Sequence, residues 1–159
     1  MTQQSSDTNL EQFVQVLNQL VEAVTVLAAQ EEQMAQAAAL SQHHLINGFL
    51  KQEQAQLLKL RGLEQKRIRQ ASLMGWEDLT FQQILDQAAP EQVSVLSPVF
   101  TDLDRQIKRL LNARDSADKA IRLRMREFDA AIGAMQGRNP DDVEFSRKNT
   151  SSHFQNKYV

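Results

Sequence analysis

The sequence predicts an all-α protein: an elongated antiparallel helical bundle of three long helices, with a short helix between the second and third and a mobile C-terminal tail. Residue usage is helical, rich in Gln, Ala, Leu, Glu and Arg, with 5 Gly and 3 Pro in 159 residues. Apolar residues recur three and four apart over long stretches, the spacing of a helix packed along one face. Capping signals or Gly and Pro punctuate the runs. The length suits one domain, with residues 1–137 as the bundle and 138–159 as a polar, flexible tail.

Thr8 and Glu11 have capping-box spacing, so the first helix is expected to start there, after a frayed polar segment 1–7. Its seam reads Leu10, Phe13, Leu17, Leu20, Val24, Leu27, Met34, Ala38, and only Glu31 interrupts it. A joint is expected at residues 39–42, with Ser41 able to cap the second helix. The Asn47-Gly48 pair is a competing turn signal, and Gly48 is placed inside the second helix. The second stripe reads Ile46, Phe49 or Leu50, Leu57 and Leu60, with Leu58 and Leu63 beside it, then Ile68, Ala71 and Met74. Gly75 supplies a C′ residue. Trp76 is expected in the bend that follows. Thr80 and Gln83 form a second capping-box spacing, with Leu79 and Ile84 placed as a hydrophobic staple, so a short helix should run from Phe81 to Ala88. Ala89-Pro90 stops it. Ser97 and Pro98 have N-cap and N1 character for the third long helix, although Val93 and Leu96 are in phase with it and allow a kinked continuation. From there the stripe reads Phe100, Leu103, Ile107, Leu110, Ala117, Ile121, Met125, Phe128, Ile132, Met135, until Gly137 and Pro140 end it.

The chain is 42% hydrophobic and 24% charged with a formal net charge of −2, which is too balanced to make nucleic acid or an anionic membrane the main partner. It has no cysteine, which excludes disulfides and thiolate chemistry. Residues 1–7 lack the basic and apolar blocks of a secretory signal. No run is expected to supply the ~18 apolar residues of a membrane span. The expectation is a cytoplasmic protein with no membrane insertion. Residues 1–50 carry five acids and no Lys or Arg, whereas residues 51–75 carry six bases and two acids, so the first two helices should attract each other weakly.

His43 and His44 lie about 100° apart on a helix and are poor joint ligands; a solvated junction is the simpler reading. There is no zinc-binding HExxH, no Cys/His array, no phosphate loop and no nucleophile elbow. The expectation is a non-enzyme with no catalytic residue, cofactor or metal. Eight bases run from Arg105 to Arg126. Asp104 precedes Lys108, Asp115 precedes Lys119 and Asp118 precedes Arg122 by four, which makes this a solvated, ion-paired face rather than a nucleic-acid surface.

What remains is surplus apolar surface. Ile121, Met125, Phe128, Ile132 and Met135 at the end of the third long helix are candidates for an incomplete groove that a partner's amphipathic helix fills, methionine being adaptable in such roles. Ordinary core packing is the competing reading of each. Phe145, Phe154 and Tyr158 in the tail are candidate anchors or covers for the groove.

Lys51-Gln52, then LLKLRGLEQKR (57–67), then a glycine, then LTFQQIL (79–85), with long helices on either side, resembles the FlgN-type flagellar export chaperones. The matching positions are Lys51, Gln52, Leu57, Leu60, Glu64, Arg67, Gly75, Leu79, Thr80, Ile84 and Leu85. The layout corresponds over roughly residues 10–135, and residues 45–90 are motif-like. The chain departs from that family in its last long helix, where Asn112 alone stands for an asparagine-rich stretch. It also departs in the ending SSHFQNKYV, so Tyr158 is not carried over as an export-gate contact. The resemblance implies a cytoplasmic all-α chaperone that binds hook–filament junction (hook-associated) proteins and helps deliver them to the type III export gate. A bundle or coiled-coil protein that self-associates is the alternative.

Overall fold

The computed structural model describes residues 2–135. The expected tail and its candidates Phe145, Phe154 and Tyr158 lie outside the described residues, as do Gly137 and Pro140. The described residues are all-α: α1 (Thr2–Ala39), α2 (His43–Leu73), α3 (Phe81–Gln87) and α4 (Pro90–Met135). At 1.5 Å per residue, the 38 residues of α1 span about 57 Å and the 46 of α4 about 69 Å.

α1 is the axis. Both α2 and α4 pack along it, and no Cα of α2 comes within 8 Å of a Cα of α4. Contacts fix the directions. Phe13 meets Trp76 just past the end of α2, and Glu31 meets Glu53 within α2, so α2 runs back along α1. Phe13 meets Phe100, Glu32 meets Arg109 and Ala38 meets Arg124, so α4 runs the same way as α1.

The main core fills the end nearest α3. Phe13, Leu17, Leu20, Ile84, Leu96 and Leu103 are fully buried there. Phe13 stands edge-on to Trp76 at 5.7 Å and to Phe100 at 6.3 Å, and Phe81 stacks on Phe100 at 4.3 Å. Trp76, 6% exposed, is thus the plug at the bend after α2. The bend closes as expected. Gly75 has φ 77°, its N–H donates to Ser72 O, and the Trp76 N–H donates to Ala71 O, the paired bonds of a Schellman motif. At α3 the Gln83 N–H donates to Thr80 Oγ1 at 3.2 Å and the Thr80 N–H donates to Gln83 Oε1 at 2.9 Å, completing the capping box.

Three expected boundaries differ. α1 begins at Thr2, and Thr8 does not cap it: its hydroxyl donates to Gln4 O, a carbonyl one turn earlier in the same helix. The joint lies at 39–42, yet Ser41 ends α1 rather than starting α2. With φ 60°, Ser41 donates its N–H to Ala38 O and the Gln42 N–H donates to Ala37 O, so the demand of the α1 carbonyls decides its role. α4 begins at Pro90, with the Ala89 N–H donating to Gln92 Oε1, and Pro98 lies inside it. Leu96 is 0% exposed, and burying it one turn before Phe100 offsets the lost backbone donor at Pro98.

By length and composition α1 is apolar enough to cross a membrane, contrary to the expectation from its sequence. Its apolar face is used within the bundle, from Phe13 to Ala38.

Candidate protein-docking surface

The far end of the bundle, away from α3, is built differently. Its buried apolar residues are Met34, Ala37 and Ala38 of α1 with Ala113 and Ala117 of α4, and none belongs to the main core cluster. Between the two regions sits a polar layer. Glu31 is 4% exposed, so the one interruption of the α1 seam faces inward. It is hydrogen-bonded to Glu53 of α2 and lies close to Arg114 and Asp118 of α4. Burial, then the hydrogen bond and repulsion from Glu53, push its carboxyl up to about 7; Arg114 opposes this and Asp118 adds to it. The buried amide oxygens Gln30 Oε1 and Gln56 Oε1 have no hydrogen-bond partner among the described residues.

The C-terminus of α1 is closed from outside. The Arg124 guanidinium donates through Nε to Ala38 O at 3.1 Å and through Nη2 to Ala39 O, while Nη1 donates to Glu127 at 2.9 Å. A cation on the last carbonyls also suits the helix dipole. This contact marks where α1 stops beside α4. The eleven residues 125–135 continue for about 16 Å beyond it.

Among the described residues, the last turns of α4 therefore extend past the α1 ridge that covers the rest. No described apolar side chain of α4 beyond Ala117 is buried. Ile121 and Met125 are half-buried, Ile132 is 37% exposed and Met135 is 85% exposed. Phe128 lies on the same helix, in the same stripe by spacing. Leu123, 56% exposed, widens the apolar end and is absent from the predicted stripe. The N-terminal half of α2, which starts at this end, adds Leu45 and Leu50 at 40% and 42% exposure, with Ile46 and Phe49 half-buried; Leu40 in the joint is 59% exposed. A signal for them exists: Glu53 and Gln56 occupy inward positions of α2, which leaves Leu50 and Leu58 out of phase with the seam.

Other surfaces are more polar. A shallow groove of about 740 Å³ between α1 and α4 is lined by Asp7, Leu10, Glu11, Val14 and Asn18 among others. The bases of α4 are largely tied to acids: Lys108 to Asp104 at 2.7 Å, Lys119 to Asp115 at 2.8 Å and Arg105 to Asp102 at 3.6 Å. Asp118 faces Glu31 instead of pairing with Arg122. In α2, Arg67 forms a two-pronged pair with Glu64 and lies 5.9 Å from the centre of the Phe81 ring, so it is part of the fold's packing. The expected attraction between acidic α1 and basic α2 takes another form, since Glu32 of α1 pairs with Arg109 of α4 at 2.8 Å, which holds Glu32 below the usual carboxylate range. His43 and His44 are both exposed. Compared with protein-family models, curated proteins and solved structures, the chain has no significant match.

Proposed function

We propose that this chain is a non-enzymatic export chaperone that captures an amphipathic helix at the open end of an elongated antiparallel bundle. The observation that carries the reading is the run of α4 past the end of α1, with Met125, Ile132 and Met135 spaced along one stripe and incompletely covered. A partner helix laying its apolar face there would extend the packing that α1 provides lower down. The sequence resemblance to FlgN-type chaperones names the class of client: the terminal helices of hook–filament junction proteins, held in the cytoplasm in a soluble, export-competent form before delivery to the type III export gate. In this reading no metal, cofactor, nucleic acid or membrane insertion takes part. Coupled ordering of the client costs entropy, which keeps the affinity releasable.

The test is co-purification of C-terminal client peptides with wild type and with Met125→Asp plus Ile132→Asp. Loss of binding by a folded double variant is expected. Undiminished binding would reject this surface. The 4-3-4-3 spacing of Ile121, Met125, Phe128, Ile132 and Met135 also fits a coiled-coil seam, which favours self-association as a second reading. Light scattering across a concentration series separates the two: a stable dimer abolished by the same substitutions supports self-association.

A further inference from the structure

The two halves of α2 are held unequally. Its buried residues are Leu60, Leu63 and Ala71, all in the half that leads to Trp76, and none lies between His43 and Lys59. The N-terminal half nevertheless lies over the far part of α1, where its half-buried Ile46, Phe49 and Glu53 face the ridge of Glu31, Met34, Ala37 and Ala38. Met34 apart, the α1 side of that ridge offers only alanines and a carboxyl. α4 gives α2 no close backbone neighbour. The joint before α2 holds Ser41 in a left-handed conformation that favours glycine.

We propose that residues 43–58 form a strap that swings off α1 about a pivot near Leu60, lengthening the docking face at the end of α4 by uncovering Met34, Ala37 and Ala38. The second part rests on the docking role proposed above. The strap itself does not. Apart from the Glu31–Glu53 contact, the features that pin α2 begin at Leu57, which packs on the main core one turn before the pivot, so the half above it can leave with Leu60, Leu63 and the aromatic plug in place. An incoming amphipathic helix would then find apolar ridges on both α1 and α4. The alanines let its backbone approach closely, and leucine or phenylalanine side chains would replace the poorly matched Glu53 and Gln56. Glu31 is the latch. Protonated, it donates to Glu53. Ionised, it faces Glu53 from α2 and Asp118 from α4, with Arg114 of α4 and its own neighbour Glu32 nearby. The strap is therefore looser on the alkaline side of neutrality.

Amide hydrogen exchange on the full chain tests this. Amides of 47–58 are expected to exchange at least about ten-fold faster than those of 61–73 after correction for chemical rates, with a wider gap at higher pH. Glu31→Leu with Glu53→Leu should close most of the gap; if that variant fails to fold, Glu31→Gln should remove its pH dependence. Equal protection in the two halves of α2 overturns the strap. The client peptide provides the second arm. A peptide that protects 121–135 and leaves 47–58 unchanged overturns the strap as a gate while the docking role stands. Fast exchange in 47–58 with no peptide binding keeps the strap and removes the docking role.

Discussion

Replacing Glu31 with glutamine removes a titration from the middle of the bundle while nearly preserving side-chain shape. Glu31 is 4% exposed, and burial first and then Glu53 push its carboxyl from the 4.5 of an ordinary glutamate up to about 7. The folded state therefore binds an extra proton between those two values, so stability falls as pH rises through that window. Below the lower value the group costs nothing; above the upper one its full cost is present. The gap from 4.5 to about 7, at 1.36 kcal/mol per pH unit, amounts to about 3 kcal/mol. Glutamine carries no such cost. Urea denaturation of both proteins at about pH 5 and about pH 8.5 gives a double difference from which groups not interacting with Glu31 drop out, leaving the contribution of Glu31 together with its partner Glu53. The variant is expected to gain about 2–3 kcal/mol on wild type from the lower pH to the higher. A relative stability that stays flat would refute the reasoning, since an ionised Glu31 would then be solvated or paired well enough to behave as a surface glutamate.

Two further substitutions probe the open end. Ser41→Gly relieves a left-handed serine at φ 60° and should stabilise the chain by about 1 kcal/mol, read as a melting temperature raised by a few degrees; a lower one means that the serine is not strained. Arg124→Met removes the clasp on Ala38 O and Ala39 O and should cost about 1 kcal/mol. Arg124→Lys should recover only part of that loss in the same melts, because its single nitrogen replaces the separate Nε and Nη2 that meet the two carbonyls in the planar guanidinium.

What was legible in the sequence was what a few neighbouring residues decide. Gly75 ends α2 because only the local backbone needs a positive φ, and Thr80 with Gln83 starts α3 because both halves of the box lie within one turn. Local signals also locate the joint at 39–42, but they do not show that Ser41 closes α1, because its N–H is claimed by Ala38 O of the preceding helix. Local rules make Pro98 a start and leave a continuation through Val93 and Leu96 as the alternative; burial of Leu96 against distant residues selects the continuation. The candidate site divides in the same way. The stripe from Ile121 to Met135 is written in its own spacing. That α1 stops beside Arg124, and that Glu31 finds Glu53, depend on how far one helix slides along another, which no spacing within a single helix encodes.

The position of α1 between two helices whose backbones stay apart has a consequence during synthesis. α1 leaves the ribosome before α2 and α4, with apolar residues for both. α2 follows directly and can cover one flank, but the other waits for α4. Some 44 residues separate the end of α2 at Leu73 from Ala117, the last buried alanine of α4. At 5–20 residues per second, that flank stays bare for roughly 2–9 s. For that interval the nascent chain is itself an unpartnered greasy helix, and crowded polysomes carrying it are where mispairing between neighbouring chains would begin.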